Sequence, residues 1–191
     1  MMKKRMFSSL MAAAALPLMA MNVSAAGFSQ LEADKSKVAF QYEQMGVKLD
    51  GQFKAFSADL SFDPAKPESA KATLDVELAS VDTGSPDADT EVVTKPWFNV
   101  SAFPKARFVA SSIKPAGGDN YQITGKLSIK GTDKEVSFPA TFRATGDQGV
   151  FKGSLPIKRG DFAIGEGDWS SFDIVANDVI VNFELAVKAA Q

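Results

Sequence analysis

The chain contains no cysteine and no histidine. Those two absences exclude disulfides, histidine-based serine triads, cysteine nucleophiles, ordinary zinc sites, histidine-ligated haem and covalently attached c-type haem. Methionine is nearly absent after the first 21 residues, where Met45 alone remains. Lysine and arginine are scattered, so neither nucleic acid nor an anionic membrane surface finds the basic footprint it would need. Beyond the N-terminus no apolar run is long enough to span a bilayer as a helix.

What is present begins with an export address. Lys3, Lys4 and Arg5 precede an apolar run from Met6 to Met21, and Ser24, Ala25 and Ala26 follow. The run is short, carries Pro17 and ends in small residues suited to cleavage, which predicts a secretory signal peptide over 1–26 and not a membrane anchor. Cleavage after Ala25 or Ala26 leaves about 165 residues from Gly27, one domain over 27–191. The whole chain carries 21 basic and 23 acidic residues, net −2; without Lys3, Lys4 and Arg5 the counts are 18 and 23, net −5. An acidic exported domain without disulfides is held by its core alone, and this length is enough to bury one.

The pattern of that core has period two. Tyr121, Ile123, Gly125, Leu127 and Ile129 alternate with polar residues; after Gly131 the residues Val136, Phe138, Ala140 and Phe142 alternate with Ser137, Pro139, Thr141 and Arg143. Successive strand side chains point to opposite faces, so this hairpin has one apolar face that must be covered. Similar alternation runs through Val38, Phe40 and Tyr42, through Ala72, Leu74, Val76 and Leu78, through Phe151 to Ile157 and through Val179 to Val187. Turns are expected at Gln44 to Val47, at Gly117 to Asp119 and at Gly146 to Gly149. A shift of phase between Phe53 and Phe56 predicts a bulge or bend.

Between Ser80 and Pro104 the alternation stops. Pro86 opens a short helical stretch whose carboxylates, Asp87, Asp89 and Glu91, suit a helix start, and Pro96 is expected to end it. The bulky apolar residues of this segment make it a cap or side wall packed on the sheet. The acidic cluster reads best as a solvated helix start, not as a metal or acid–base site. Gly160 to Ser171 lacks the spacing of a calcium loop and reads as a turn-rich crossover. Roughly eight strands with turns between neighbours predict an all-β antiparallel barrel or sandwich with a short helical insertion.

The run Gln44 Met45 Gly46 before Gly51, Phe53 and Phe56, then Phe62 Asp63 Pro64, Ser80 Val81 Asp82 Thr83 Gly84, Trp97 Phe98 Asn99, Phe103 to Phe108, and Gly125 to Gly131, resembles the YceI-like family of bacterial secreted proteins. The resemblance covers nearly the whole exported chain. It implies a lipocalin-like extended eight-stranded antiparallel barrel in the periplasm, with a long apolar channel for isoprenoid lipids, isoprenoid quinones or fatty chains. It also implies, for some members, a partnership with a membrane cytochrome of the b561 type. The function expected is binding and carriage of an isoprenoid-type ligand without catalysis or a fixed cofactor; the alternatives are an enzyme acting on a bound lipid or quinone, and an accessory module for that cytochrome.

Most of the phenylalanines serve a core, but some must line any channel. Tyr42, Met45, Phe53, Trp97, Phe98 and Tyr121, with the inward-facing Phe138 and Phe142, are the channel residues expected here. Where many family members carry Arg-Asp-x-His-Leu, this chain has Ala88 Asp89 Thr90 Glu91 Val92. Asp89 and Glu91 are then the head-group region, and the loss of two cationic residues favours a neutral head group over a pyrophosphate.

Overall fold

A computed structural model describes residues 27–190, so the segment expected to be the signal, 1–26, lies outside the described residues. The strands are β1 (Phe28–Leu31), β2 (Lys37–Gln44), β3 (Val47–Phe53), β4 (Phe56–Ser61), β5 (Lys71–Glu77), β6 (Val81–Asp82), β7 (Lys105–Pro115), β8 (Asn120–Ile129), β9 (Thr132–Thr145), β10 (Gln148–Lys158) and β11 (Asp178–Ala189), with helix α1 (Pro86–Val92) between β6 and β7. Every pairing is antiparallel. The sheet order is β4-β5-β7-β8-β9-β10-β11-β2-β3-β6, with β1 laid on β11.

The two ends of that order meet in the chain itself. β3 pairs with β2 and β4 pairs with β5, and only Lys54 and Ala55 separate β3 from β4. This is the bend expected between Phe53 and Phe56. Lys54 N–H donates to Ser80 O at 3.0 Å, Ala55 N–H to Ser80 Oγ at 3.0 Å and Glu77 N–H to Ala55 O at 3.0 Å, so Ser80 stitches the bend to the wall. One bent strand thus changes partners halfway and curls the sheet into a barrel, which leaves few exposed edges. Among the described residues eleven segments replace the eight strands expected because the bent strand counts twice and two short pieces, β1 and β6, had no alternation long enough to read.

The β2–β3 turn places Met45 at φ 50° and Gly46 at φ 78°, the double left-handed geometry of a tight hairpin. α1 begins at Pro86 as expected but ends at Val92, before Pro96. The β-branched run Val92, Val93 and Thr94 is poor helix material, and Phe98 N–H returns to Val92 O at 3.0 Å to start a turn. The stretch from Leu78 to Pro104 fills the gap that the bend opens between β3 and β7, as a side wall. At the opposite end of the barrel β1 crosses β4: Phe28 N–H donates to Phe62 O at 2.8 Å, and Phe62 N–H to Phe28 O at 2.9 Å. There the rings of Phe28, Phe62, Phe142 and Phe151 interlock with centroids 4.4–5.0 Å apart, and Tyr121 packs on Phe62 at 5.4 Å.

Candidate functional site

The barrel is plugged at one end and hollow above the plug. The hollow has a volume of about 710 Å³ and is walled by residues of all the strands from β2 to β11 together with α1 and the side wall. Its deep part is apolar, with Val38, Leu60, Ile123, Phe138, Phe151 and Leu185. Most of its polar residues gather near α1 and the end of β2, namely Tyr42, Gln44, Thr83, Ser85, Asp87 and Glu91, while Thr73 on β5, Arg107 on β7 and Arg159 after β10 also border it. Gly84, Ser85 and Asp87 are exposed as well as lining, which places a mouth there; on the β7 side Arg107 is likewise exposed and lining, with its guanidinium held by Asp75.

Why the interior stays hollow despite its phenylalanines is a matter of glycine. A Cβ at Gly125 would strike the Phe108 ring and Val109 O, and one at Gly153 would strike the Phe183 ring. The ends of both rings thus occupy the space that a side chain on those strands would fill. The uneven inward face of β8, with Gly125 among large residues, therefore makes room and is not a packed taper.

Of the channel residues expected from sequence, Tyr42, Phe53, Trp97, Phe98 and Phe138 line the cavity. Tyr121 and Phe142 face inward but are part of the plug below the lumen. Met45 lies outside altogether: it sits on the hairpin tip, 77% exposed, because the left-handed turn residue leaves the alternation of β2. In the head-group region, Glu91 lines the mouth but Asp89 does not. Asp89 Oδ1 instead accepts the Thr83 N–H and the Thr83 hydroxyl, each at 2.7 Å, and so holds the chain entering α1. Burial first, and the Asp89 charge second, raise the Tyr42 phenol above its ordinary value, so it remains a hydrogen-bond donor at the mouth.

Sequence reading missed Arg159. This residue, 2% exposed, lines the cavity wall and has no carboxylate partner among the described residues. Its guanidinium donates to the carbonyls of Val175, Ala176, Ile164, Gly165, Trp169 and Ser171 at 2.7–3.2 Å. It lies over the Trp97 ring at 5.6 Å and the Phe172 ring at 4.9 Å. Burial lowers its affinity for the proton, yet arginine stays charged, and the carbonyl dipoles and ring faces carry the compensation. All five of its N–H donors are thereby engaged, so it shapes the irregular crossover and has no donor left for a ligand. Lys130 does a similar task at the β8–β9 turn, donating to Ala163 O at 2.5 Å and Glu166 Oε2 at 2.7 Å.

Fold and cavity together define a class: an antiparallel barrel built round an apolar interior with a polar mouth. Within that class the chain belongs to the YceI-like family, whose YceI-like domain model matches residues 30–187. A UPF0312 protein of Azotobacter vinelandii is 33% identical over 140 residues, 70% of this chain and 73% of the relative. A UPF0312 protein of Pseudomonas putida is 28% identical over 170 residues, 85% of this chain and 88% of the relative. Among solved structures, Burkholderia cenocepacia BcnA superposes with a TM-score of 0.80 at 42% identity, over 82% of this chain and 99% of that one. A polyisoprenoid binding domain from Saccharophagus degradans shares the fold with a TM-score of 0.65 at 18% identity, over 86% and 99% of the two chains.

Proposed function

We propose that the chain is a periplasmic binding and carrier protein for an isoprenoid-type apolar ligand, a polyprenyl chain or an isoprenoid quinone, held in the barrel without catalysis. The cavity carries this reading: about 710 Å³ of mainly apolar lumen, stoppered below and with most of its polar lining at the mouth, suits one slender chain with a small head. The polyisoprenoid binding that describes the Saccharophagus degradans domain supports the chemical class. Export rests on the basic and then apolar N-terminus, and the periplasm on the family's bacterial setting. A role confined to a membrane cytochrome of the b561 type needs only the outer surface and leaves the hollow interior without a purpose. An enzyme working on the lipid needs a group poised over it, and at the mouth Glu91 is bonded to Trp169 and Thr83 to Asp89.

The head group is neutral in this reading, because Glu91 and Asp87 would repel a pyrophosphate at a partly desolvated mouth. Native mass spectrometry of protein isolated from its own host tests the proposal. A copurified apolar chain released by organic solvent is the expected result. Protein that is empty from the host and binds no isoprenoid or fatty chain in titration would overturn it.

A further inference from the structure

We infer that this barrel measures its ligand: the aromatic plug fixes how much of an apolar chain can be buried, and any surplus must leave through the mouth. The inference rests on the carrier reading above and adds a length limit to it.

The limit appears on three strands at the same level. Lining residues run from Gln44 down to Val38 on β2, from Ile157 down to Phe151 on β10 and from Val179 down to Leu185 on β11. Six residue steps cover about 20 Å of strand, and the usual barrel tilt turns that into a depth of roughly 15 Å. The next inward positions, Val187 on β11 and Tyr121 on β8, are buried behind the floor.

That floor is stiff. Phe62, which is 0% exposed, contacts Phe142 at 4.8 Å and Phe151 at 4.9 Å, both edge-on. Phe28 of β1 leans on Phe142 at 5.0 Å. Rings interlocked edge to face at interior density do not part without unpacking the end of the barrel. Most of the polar lining (Tyr42, Gln44, Thr83, Ser85, Asp87 and Glu91) stands at the other end, and Arg107 on the β7 side is tied up by Asp75, so the ligand's head belongs at the mouth and its tail points to Phe151. Each carbon added to a short tail is buried, whereas each one added after the tail meets the floor stays in water.

A series of prenols (geraniol, farnesol, geranylgeraniol and solanesol) tests this against the full folded protein. Both tryptophans, Trp97 and Trp169, line the cavity, so intrinsic fluorescence reports binding. Affinity is expected to rise roughly tenfold or more with each isoprene unit until the floor is reached, and by less than about twofold per unit afterwards. Phe151→Ala should move the break to a longer prenol. Gly153→Ala, whose new Cβ pushes the Phe183 ring into the lumen, should move it to a shorter one. If Phe151→Ala does not fold, the shortened limit of Gly153→Ala decides the matter alone. Affinity that climbs steadily to solanesol, or a break that stays put in the folded variants, overturns the length limit while leaving the carrier reading intact. Failure of every prenol to bind folded protein removes the carrier reading and the length limit with it.

Discussion

The Trp169 indole Nε1–H donates to Glu91 Oε1 at 2.8 Å, tying α1 to the crossover before β11 across 78 residues of sequence. Both residues line the mouth, and the Trp169 ring packs against Trp97 at 5.4 Å with the planes tilted by 55°. Glu91 therefore has two effects, a bond that closes the rim and a charge that faces incoming heads. Glu91→Gln keeps an acceptor for the indole and removes the charge. The expected outcome is that a prenol binds more tightly than its pyrophosphate in the parent and that the gap narrows in Glu91→Gln, more visibly at low salt. Glu91→Ala should in addition shift the tryptophan emission as the rim loosens. Tighter pyrophosphate binding in the parent at both salts would mean that an anion is held elsewhere and that Glu91 does not select the head.

Arg159 holds the crossover by its carbonyl contacts. Arg159→Met leaves several buried carbonyls unpaired and is expected to lower stability by on the order of 3–5 kcal/mol. Arg159→Lys, a point charge without the planar fork, should recover little of it. Urea unfolding of the three proteins measures both; parent-like stability in Arg159→Met would remove the structural role assigned to the guanidinium.

The two faces of β9 should respond oppositely to charge. Phe138 is buried on the lumen side, 5.5 Å from the Phe108 ring, whereas Ser137 is exposed and bonds Gln122 and Thr124 at 2.9 Å on the outside. Phe138→Asp is expected to destabilise by about 3 kcal/mol or more, and Ser137→Asp by less than about 1 kcal/mol. Thermal unfolding compares them, and equal tolerance would contradict the register of β8 and β9.

Acid should weaken the β5–β7 pairing. Arg107 forms a fork to Asp75 at 2.6 and 2.7 Å, and this hydrogen bonding holds the Asp75 carboxyl below the ordinary carboxylate range. A value depressed in the folded state stabilises above the unfolded value, and that contribution is lost as pH falls through the folded one. Asp75→Asn is thus expected to melt below the parent at neutral pH and to converge with it in acid. A gap that stays constant down through the acid range would show that the pair contributes nothing through its charge.

Period-two alternation determined by itself which side of β8, β9, β10 and β11 turns inward, because the pleat assigns successive residues to opposite faces whatever lies beyond them. Tyr121, Ile123, Leu127, Ile129, Phe138 and Phe142 are all buried as that rule requires. The helical start at Pro86 and the hairpin at Met45 and Gly46 were legible for the same local reason: proline and glycine restrict or release backbone angles at their own positions.

Depth along the barrel was beyond reach of that rule. Phe138 and Phe142 stand on one face of one strand, yet the first lines the lumen and the second belongs to the plug, because β1 and Phe62 arrive from elsewhere to fill that end. The hollow itself depended on which glycine came to lie under which phenylalanine, a pairing between strands. Arg159 left no signature because its partners are backbone carbonyls, which every residue possesses. Only the folded chain gathers six of them round one guanidinium.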